Sequence, residues 1–381
     1  MNKLFIIVGL TFFISCKTQQ INENIRGVWI FESEVNDLYL NDTSQFFVHQ
    51  YPIIYDFKED GDLVFKNYPK KDTIYSWLQK TDTILTINGL DYTIHSLNQD
   101  SITLIDYNRA DTYWLTFKRP KEIFIDYSKT EIEKILLSNI WSTDDTLSRK
   151  WATRFEYFPN NIMIYRYRIF DINLNDSADN LQLERWGVAE YKDYYFIINY
   201  TDMYGNGNFE SINQIIDINP NSYTISDSNV NDKKAGFHSI MEGVNNEQEL
   251  KKIKGKWISY NSENRTYGKY IPEQKIEYGR IGLFQGDLHM TFKEKTISLK
   301  IDALEPMIYH DWQLSKDGKT LLLEYHFDGS ESGGIQFEYA TILELNDTKL
   351  KIRLFNNRYY TGKEKPSQYI LNLVQEFERV E

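Results

Sequence analysis

The chain has 381 residues, 41% apolar and 26% charged, with only 8 Pro and 19 Gly, which excludes a mostly disordered or collagen-like chain. A net charge of −12 argues against a nucleic-acid partner gripped through its phosphates. One Cys excludes an intrachain disulfide and a Cys-based zinc site, while 28 Tyr, 22 Phe and 8 Trp favour strands.

In chain order, Lys3 supplies a small positive start and Leu4 to Ile14 form an apolar run broken only by Gly9 and Thr11. A membrane-spanning helix needs about 20 apolar residues. Here the chain turns polar at Lys17, so residues 1–15 read as a cleaved signal peptide. Ile14-Ser15-Cys16 resembles the lipobox of bacterial lipoproteins, with Phe13 where Leu is usual. The resemblance implies that Cys16 becomes the lipidated first residue of the mature protein, with residues 16–20 as its tether. One acyl chain anchors marginally, at roughly 0.8 kcal/mol per buried CH₂, whereas two or more hold firmly. Lys17 stands where inner-membrane retention uses Asp, and no acidic cluster follows. The expected location is the outer membrane, lipid-anchored, on the periplasmic face rather than the cell surface.

The rest of the chain reads as three repeats. Ile25-Arg26-Gly27-Val28-Trp29, Leu137-Ser138-Asn139-Ile140-Trp141 and Ile253-Lys254-Gly255-Lys256-Trp257 share an aliphatic residue four before Trp and Gly or Asn two before it. Each follows a short amphipathic stretch. Ile21 and Ile25 are spaced for one helical face, as are Ile132, Ile135 and Leu136 after a cap at Ser128 or Thr130, and Leu250 and Ile253. Gly or Asn permits the left-handed residue that ends such a helix.

After Trp29 come predicted strands over 28–35, 48–57, 62–67, 72–79, 82–88, 91–97, 101–106 and 112–118, with clear alternation in Thr83-Ile84-Leu85-Thr86-Ile87. Glu59-Asp60-Gly61-Asp62, Asn88-Gly89 and Asn98-Gln99-Asp100 supply turns, and Asn-Gly is a strong hairpin cue because both residues tolerate positive φ. This pattern suits an up-and-down antiparallel barrel. Later copies keep the style, with turns at Pro159-Asn160-Asn161 and Lys316-Asp317-Gly318-Lys319. The predicted fold is all-β, a tandem of antiparallel barrels or half-barrels each preceded by a short helix. Predicted domains span 21–120, 128–245 (divergent) and 246–381.

Gly27-Val28-Trp29 and Gly255-Lys256-Trp257 resemble the Gly-x-Trp that opens the first strand of lipocalins and bacterial lipocalin-like domains. In that family a basic residue at the end of the last strand lies near this Trp. Phe117-Lys118-Arg119 and Phe377-Glu378-Arg379 match that ending. The resemblance implies Arg119 over Trp29 and Arg379 over Trp257, closing one end of each barrel, with Trp141 in the corresponding place in copy two. Copy two has Asn139 for Gly and no matching Arg, so its barrel is expected to be open, incomplete or merged with a neighbour.

Catalytic patterns are sparse. The six His form no zinc spacing; His310-Asp311 and His326-Phe327-Asp328 read as polar strand neighbours. Gly329-Ser330-Glu331-Ser332-Gly333 misses the nucleophile-elbow spacing. Asp144, Asp145 and Glu184 read as solvated acids, and Asp56, Glu59, Asp60 and Asp62 lack a calcium-loop pattern. Tyr165-Arg166-Tyr167-Arg168 and Tyr194-Tyr195-Phe196 place aromatics densely on strands, so outward rings there could form a binding patch. Residues 201–211 read as a long loop. The expected function is non-enzymatic binding of a small apolar or amphipathic ligand by a membrane-anchored lipoprotein, with no cofactor and no metal. The alternative is a scaffold whose filled barrels meet a protein partner, and the third reading is a carbohydrate hydrolase.

Overall fold

Alternating apolar residues joined by tight turns give strands whose inner faces must be covered, and in this chain the sheets cover themselves by curling shut. The computed structural model describes residues 23–36, 51–68, 70–143, 154–168, 179–200, 211–226, 234–239, 246–259, 267–268, 287–301, 307–309, 311–327, 334–362 and 365–380. Cys16, Asp144, Asp145, His310, Asp328, 201–210 and the Gly329–Gly333 motif lie outside them.

The first barrel starts with a single 3₁₀ turn, Glu23–Ile25, and comprises β1 (Gly27–Asn36), β2 (Ile53–Phe57), β3 (Asp62–Asn67), β4 (Thr73–Thr81), β5 (Ile84–Ile87), β6 (Leu90–Leu97), β7 (Ser101–Asp106) and β8 (Tyr113–Lys118). Each strand pairs antiparallel with the next, and β8 returns to β1, setting Ile30 opposite Lys118. Asn88 and Gly89 both take positive φ, 48° and 81°, as the two-residue hairpin requires. Inside pack Trp29, Phe31, Phe57, Trp77, Leu104, Leu115 and Phe117.

The second barrel follows α1 (Lys129–Ser138), whose N-terminus is fixed by Ser128 and Glu131 in a reciprocal capping box. Its strands are β9 (Ile140–Thr143), β10 (Arg154–Tyr157), β11 (Ile162–Arg168), β12 (Asp179–Tyr191), β13 (Tyr194–Tyr200), β14 (Ser211–Asn219), β15 (Ser222–Ser226) and β16 (Lys234–Ser239). This barrel is closed, with β16 pairing back to β9. That corrects the expectation of an open or incomplete copy two: other contacts do the work of the missing Gly and Arg.

The third sheet follows α2 (Glu247–Ile253) and comprises β17 (Gly255–Ser259), β18 (Tyr267–Gly268), β19 (Leu288–Phe292), β20 (Ile297–Ile301), β21 (Met307–Tyr309), β22 (Asp311–Leu314), β23 (Thr320–Phe327), β24 (Gly334–Leu345), β25 (Lys349–Gly362) and β26 (Lys365–Val380). The sheet runs β21-β20-β19-β17-β26-β25-β24-β23-β22, and β18 adds to β26. Its two edges, β21 and β22, are separated in sequence only by residue 310, and the barrel is nearly closed. β25 and β26 stay paired far beyond the barrel, down to Gly362 opposite Lys365.

Candidate functional site

In each copy the first Trp caps the helical turn that precedes its strand. The Trp29 indole N–H donates to the Ile25 carbonyl at 2.7 Å, Trp141 to Leu136 at 2.9 Å and Trp257 to Ile253 at 2.8 Å. A helical turn ends with carbonyls that lack an internal donor, and the indole supplies one. Ile25, Leu136 and Ile253 are themselves buried.

The Arg119 guanidinium lies 4.1 Å from the centre of the Trp29 ring and donates to the Asn24 carbonyl. Arg379 lies 4.6 Å from the Trp257 ring and donates to the carbonyls of Lys252 and, at 3.2 Å, Lys254. At the end of α2 this places a cation where the helix dipole is negative. Barrel 2 uses aromatic rings instead. Tyr223 meets Trp141 edge-on at 4.9 Å and stacks on Phe237 at 4.4 Å and 7°. The Tyr223 and Tyr157 hydroxyls share a buried hydrogen bond of 2.9 Å. Asn139 is extended at φ −132°, and its amide donates to the Pro220 carbonyl at 2.8 Å.

A second Trp repeats in all three barrels, and the sequence reading missed it. Trp77 donates to the Lys58 carbonyl at 3.0 Å, Trp186 to Phe158 at 3.1 Å and Trp312 to Lys293 at 2.9 Å. Each ring packs on the aromatic residue that ends the preceding strand or a nearby one: Phe57 at 5.1 Å, Tyr157 at 4.7 Å and Phe292 at 5.4 Å. The available signal was spacing. Trp and the turn residue it caps are 19 apart in the first and third copies and 28 apart in the second.

At the other end of barrel 1, the β7–β8 turn brings Arg109 over the mouth. Its guanidinium contacts Glu34 and Asp106, each at 3.0 Å, and lies 4.5 Å from the Tyr113 ring. Glu34 and Asp106 are buried, and Asn108 donates to the second oxygen of Asp106 by its backbone at 2.9 Å and its amide at 3.0 Å. Below them sits Tyr55, whose phenol burial pushes well above its usual pKa, with Tyr92 and Tyr75 adding to the effect. Among the described residues this end of barrel 1 is polar, with Glu34, Asp106, Asn108 and Arg109 paired to one another.

The outer surface of barrel 1 meets barrel 2 along Val28, Ile30 and Ile54 against Ala189, Phe196, Ile198 and Ile212. The expected Tyr194-Tyr195-Phe196 patch thus turns its outward Phe196 into this seam, where it is fully buried. Beside it, buried Asp56 accepts from the Tyr191 phenol at 2.5 Å and pairs with Lys192 at 3.0 Å and with Lys58. Burial works against the Asp56 charge, but hydrogen bonds from Lys58, Tyr191 and Lys192 outweigh it and hold the carboxyl below its ordinary pKa. Barrels 2 and 3 meet through Phe158, Ile162, Ile164 and Leu183 against Leu322 and Tyr339, and the Lys316 backbone N–H donates to Glu156 at 2.8 Å. Asp60 accepts from the backbone of Asp62 at 3.1 Å as a turn residue, and Glu184 is buried. Among the described residues no group of three His, Cys, Asp or Glu is placed to hold a metal ion, and no helix is long and apolar enough to cross a membrane.

No protein-family model matches the chain, and no curated protein matches it. Among solved structures it is similar to transferrin-binding protein B from Haemophilus parasuis, at 10% identity over 93% of this chain and 76% of that one, with a TM-score of 0.19. It is also similar to isotype 1 transferrin-binding protein B from serogroup B Neisseria meningitidis, at 9% identity over 89% and 67%, with a TM-score of 0.19. Those overlaps are too loose to argue from, and the barrel architecture rests on the strand pairing itself.

Proposed function

We propose that the chain is a lipid-anchored outer-membrane lipoprotein, facing the periplasm, that acts without catalysis by presenting its barrels to a protein partner. The observation that carries this reading is the content of the barrels. An eight-stranded barrel is wide enough either to be filled by side chains or to hold one small ligand. Barrel 1 is occupied by its own Trp29, Phe31, Phe57, Trp77 and Phe117, and barrel 2 by Trp141, Tyr157, Trp186, Tyr223 and Phe237. Interiors packed in this way favour the outer faces and loops as the working surface. The anchor is supported by the signal-like N-terminus and Cys16.

A second reading keeps a small ligand at the mouth of barrel 1, favoured by the buried Glu34 and Asp106 held under a half-exposed Arg109. A titration of the purified mature chain with a fluorescent fatty-acid probe separates the two. No saturable binding at micromolar concentration supports the filled-barrel reading. One-to-one binding that Arg109→Ala changes overturns it in favour of the mouth.

A further inference from the structure

The seam between barrels 1 and 2 combines an apolar patch with a charged cluster built on buried Asp56. We propose that the cluster is a conformational latch: Asp56 and the β12–β13 turn hold the two barrels at one fixed angle, and its loss lets barrel 1 swing on the connection 119–128. Apolar burial drives association without direction, so Val28, Ile30, Ile54, Phe196, Ile198 and Ile212 hold the barrels together without fixing their angle. Charge-assisted hydrogen bonds are short and directional, and these supply the angle.

The Asp56 side chain is 1% exposed, and three donors converge on its Oδ2. Two of them, the Tyr191 phenol and Lys192 Nζ, come from barrel 2, and only Lys58 comes from barrel 1. The turn that presents them is tight, with Lys192 at φ 54°. Lys66 of barrel 1 reaches back across the seam to lie 4.9 Å from the Tyr191 ring, so each barrel grips the other. Among the described residues Asp56 Oδ1 has no partner, so all three donors act on one oxygen. The pivot is defined as well. Gln214 on β14 exchanges two hydrogen bonds with the Lys121 backbone, at 2.8 and 2.7 Å, so the connection is pinned to the same strand that carries Ile212.

The test uses the mature chain with Cys16→Ser and dyes on Tyr107→Cys, at the mouth of barrel 1, and Asn221→Cys, on a barrel 2 turn. Single-molecule energy transfer between them should give one narrow distance distribution. Asp56→Asn should broaden or split it, and tryptic cleavage after Lys121 should speed up about tenfold. Tyr191→Phe and Lys192→Gln act from the other barrel and leave the interior of barrel 1 untouched, so they decide the matter if Asp56→Asn misfolds. An unchanged narrow distribution in Tyr191→Phe and Lys192→Gln overturns the latch, as does a broad distribution before any substitution.

Discussion

Gly27 and Arg119 are matched to each other: a Cβ on Gly27 would stand 2.9 Å from Arg119 Nη1, and Gly27 holds φ at 105°. Gly255 and Arg379 repeat the pairing at 3.1 Å and 127°. The Gly of the repeated anchor therefore serves two needs at once, the backbone conformation and the space for a guanidinium reaching the Trp. Barrel 2 has neither need. Asn139 is extended there, and no Arg is placed over Trp141 among the described residues.

Gly27→Ala combines a left-handed strain of roughly 1–3 kcal/mol with a shift of the Arg119 guanidinium. Gly89→Ala, at φ 81° with open space around its Cβ, meets the backbone penalty alone. Thermal unfolding should show the larger loss at Gly27, and equal losses would mean that the Arg119 contact is immaterial.

Arg119→Ala removes both the ring contact and the donor to Asn24, and should cost about 1–2 kcal/mol. Arg119→Lys should rescue little, because an ammonium cannot lie flat on the indole while reaching the carbonyl. Denaturant titration checks both variants, and full rescue by Lys would reduce the contact to simple charge.

Trp77→Phe and Trp312→Phe keep an aromatic ring but leave the Lys58 and Lys293 carbonyls without their indole donor. Each should cost about 1 kcal/mol for the hydrogen bond, plus the lost volume. The expected result is a similar fall in the unfolding midpoint for both, since the geometry is the same. A large effect at one and none at the other would break the equivalence of the copies.

The folded-state pKa of Asp56 lies below its unfolded value. Its contribution is therefore complete above the unfolded value, about 3.9, and is lost as pH falls through the folded value. Stability of the native chain and of Asp56→Asn, measured from pH 7 downward, should differ most at neutral pH and converge in acid. A gap that persists unchanged at pH 2 would place the effect of the substitution elsewhere.

The barrels were legible because their signals are local. Alternation at 83–87 marked β5, Asn88-Gly89 marked its hairpin, and recurrence of the Trp anchor marked the copies. Arg119 and Arg379 were reachable through a family resemblance and not through any spacing, since they stand at the far end of each copy. Copy two misled because the surroundings of its first Trp are supplied by Tyr223, Phe237 and Asn139, residue types that occur all along an aromatic-rich chain. The second set of Trp residues went unseen because their partners are backbone carbonyls, which carry no sequence label. The seam was hidden for a related reason: Ile54 and Phe196 look the same in a pattern whether they face a barrel's inside or its neighbour.

The contacts of Trp29 and Arg119 in barrel 1 differ greatly in reach along the chain. Trp29 bonds a carbonyl 4 residues away, whereas Arg119 bonds one 95 residues away. The first is local, while the second requires the last strand to meet the first across most of the copy, and its loop-closure cost is correspondingly larger. Arg119 thus ties the end of the last strand to the turn before the first, and Arg379 plays the same part for the third copy. Occupancy of these two contacts would report, copy by copy, whether the first and last strands have met.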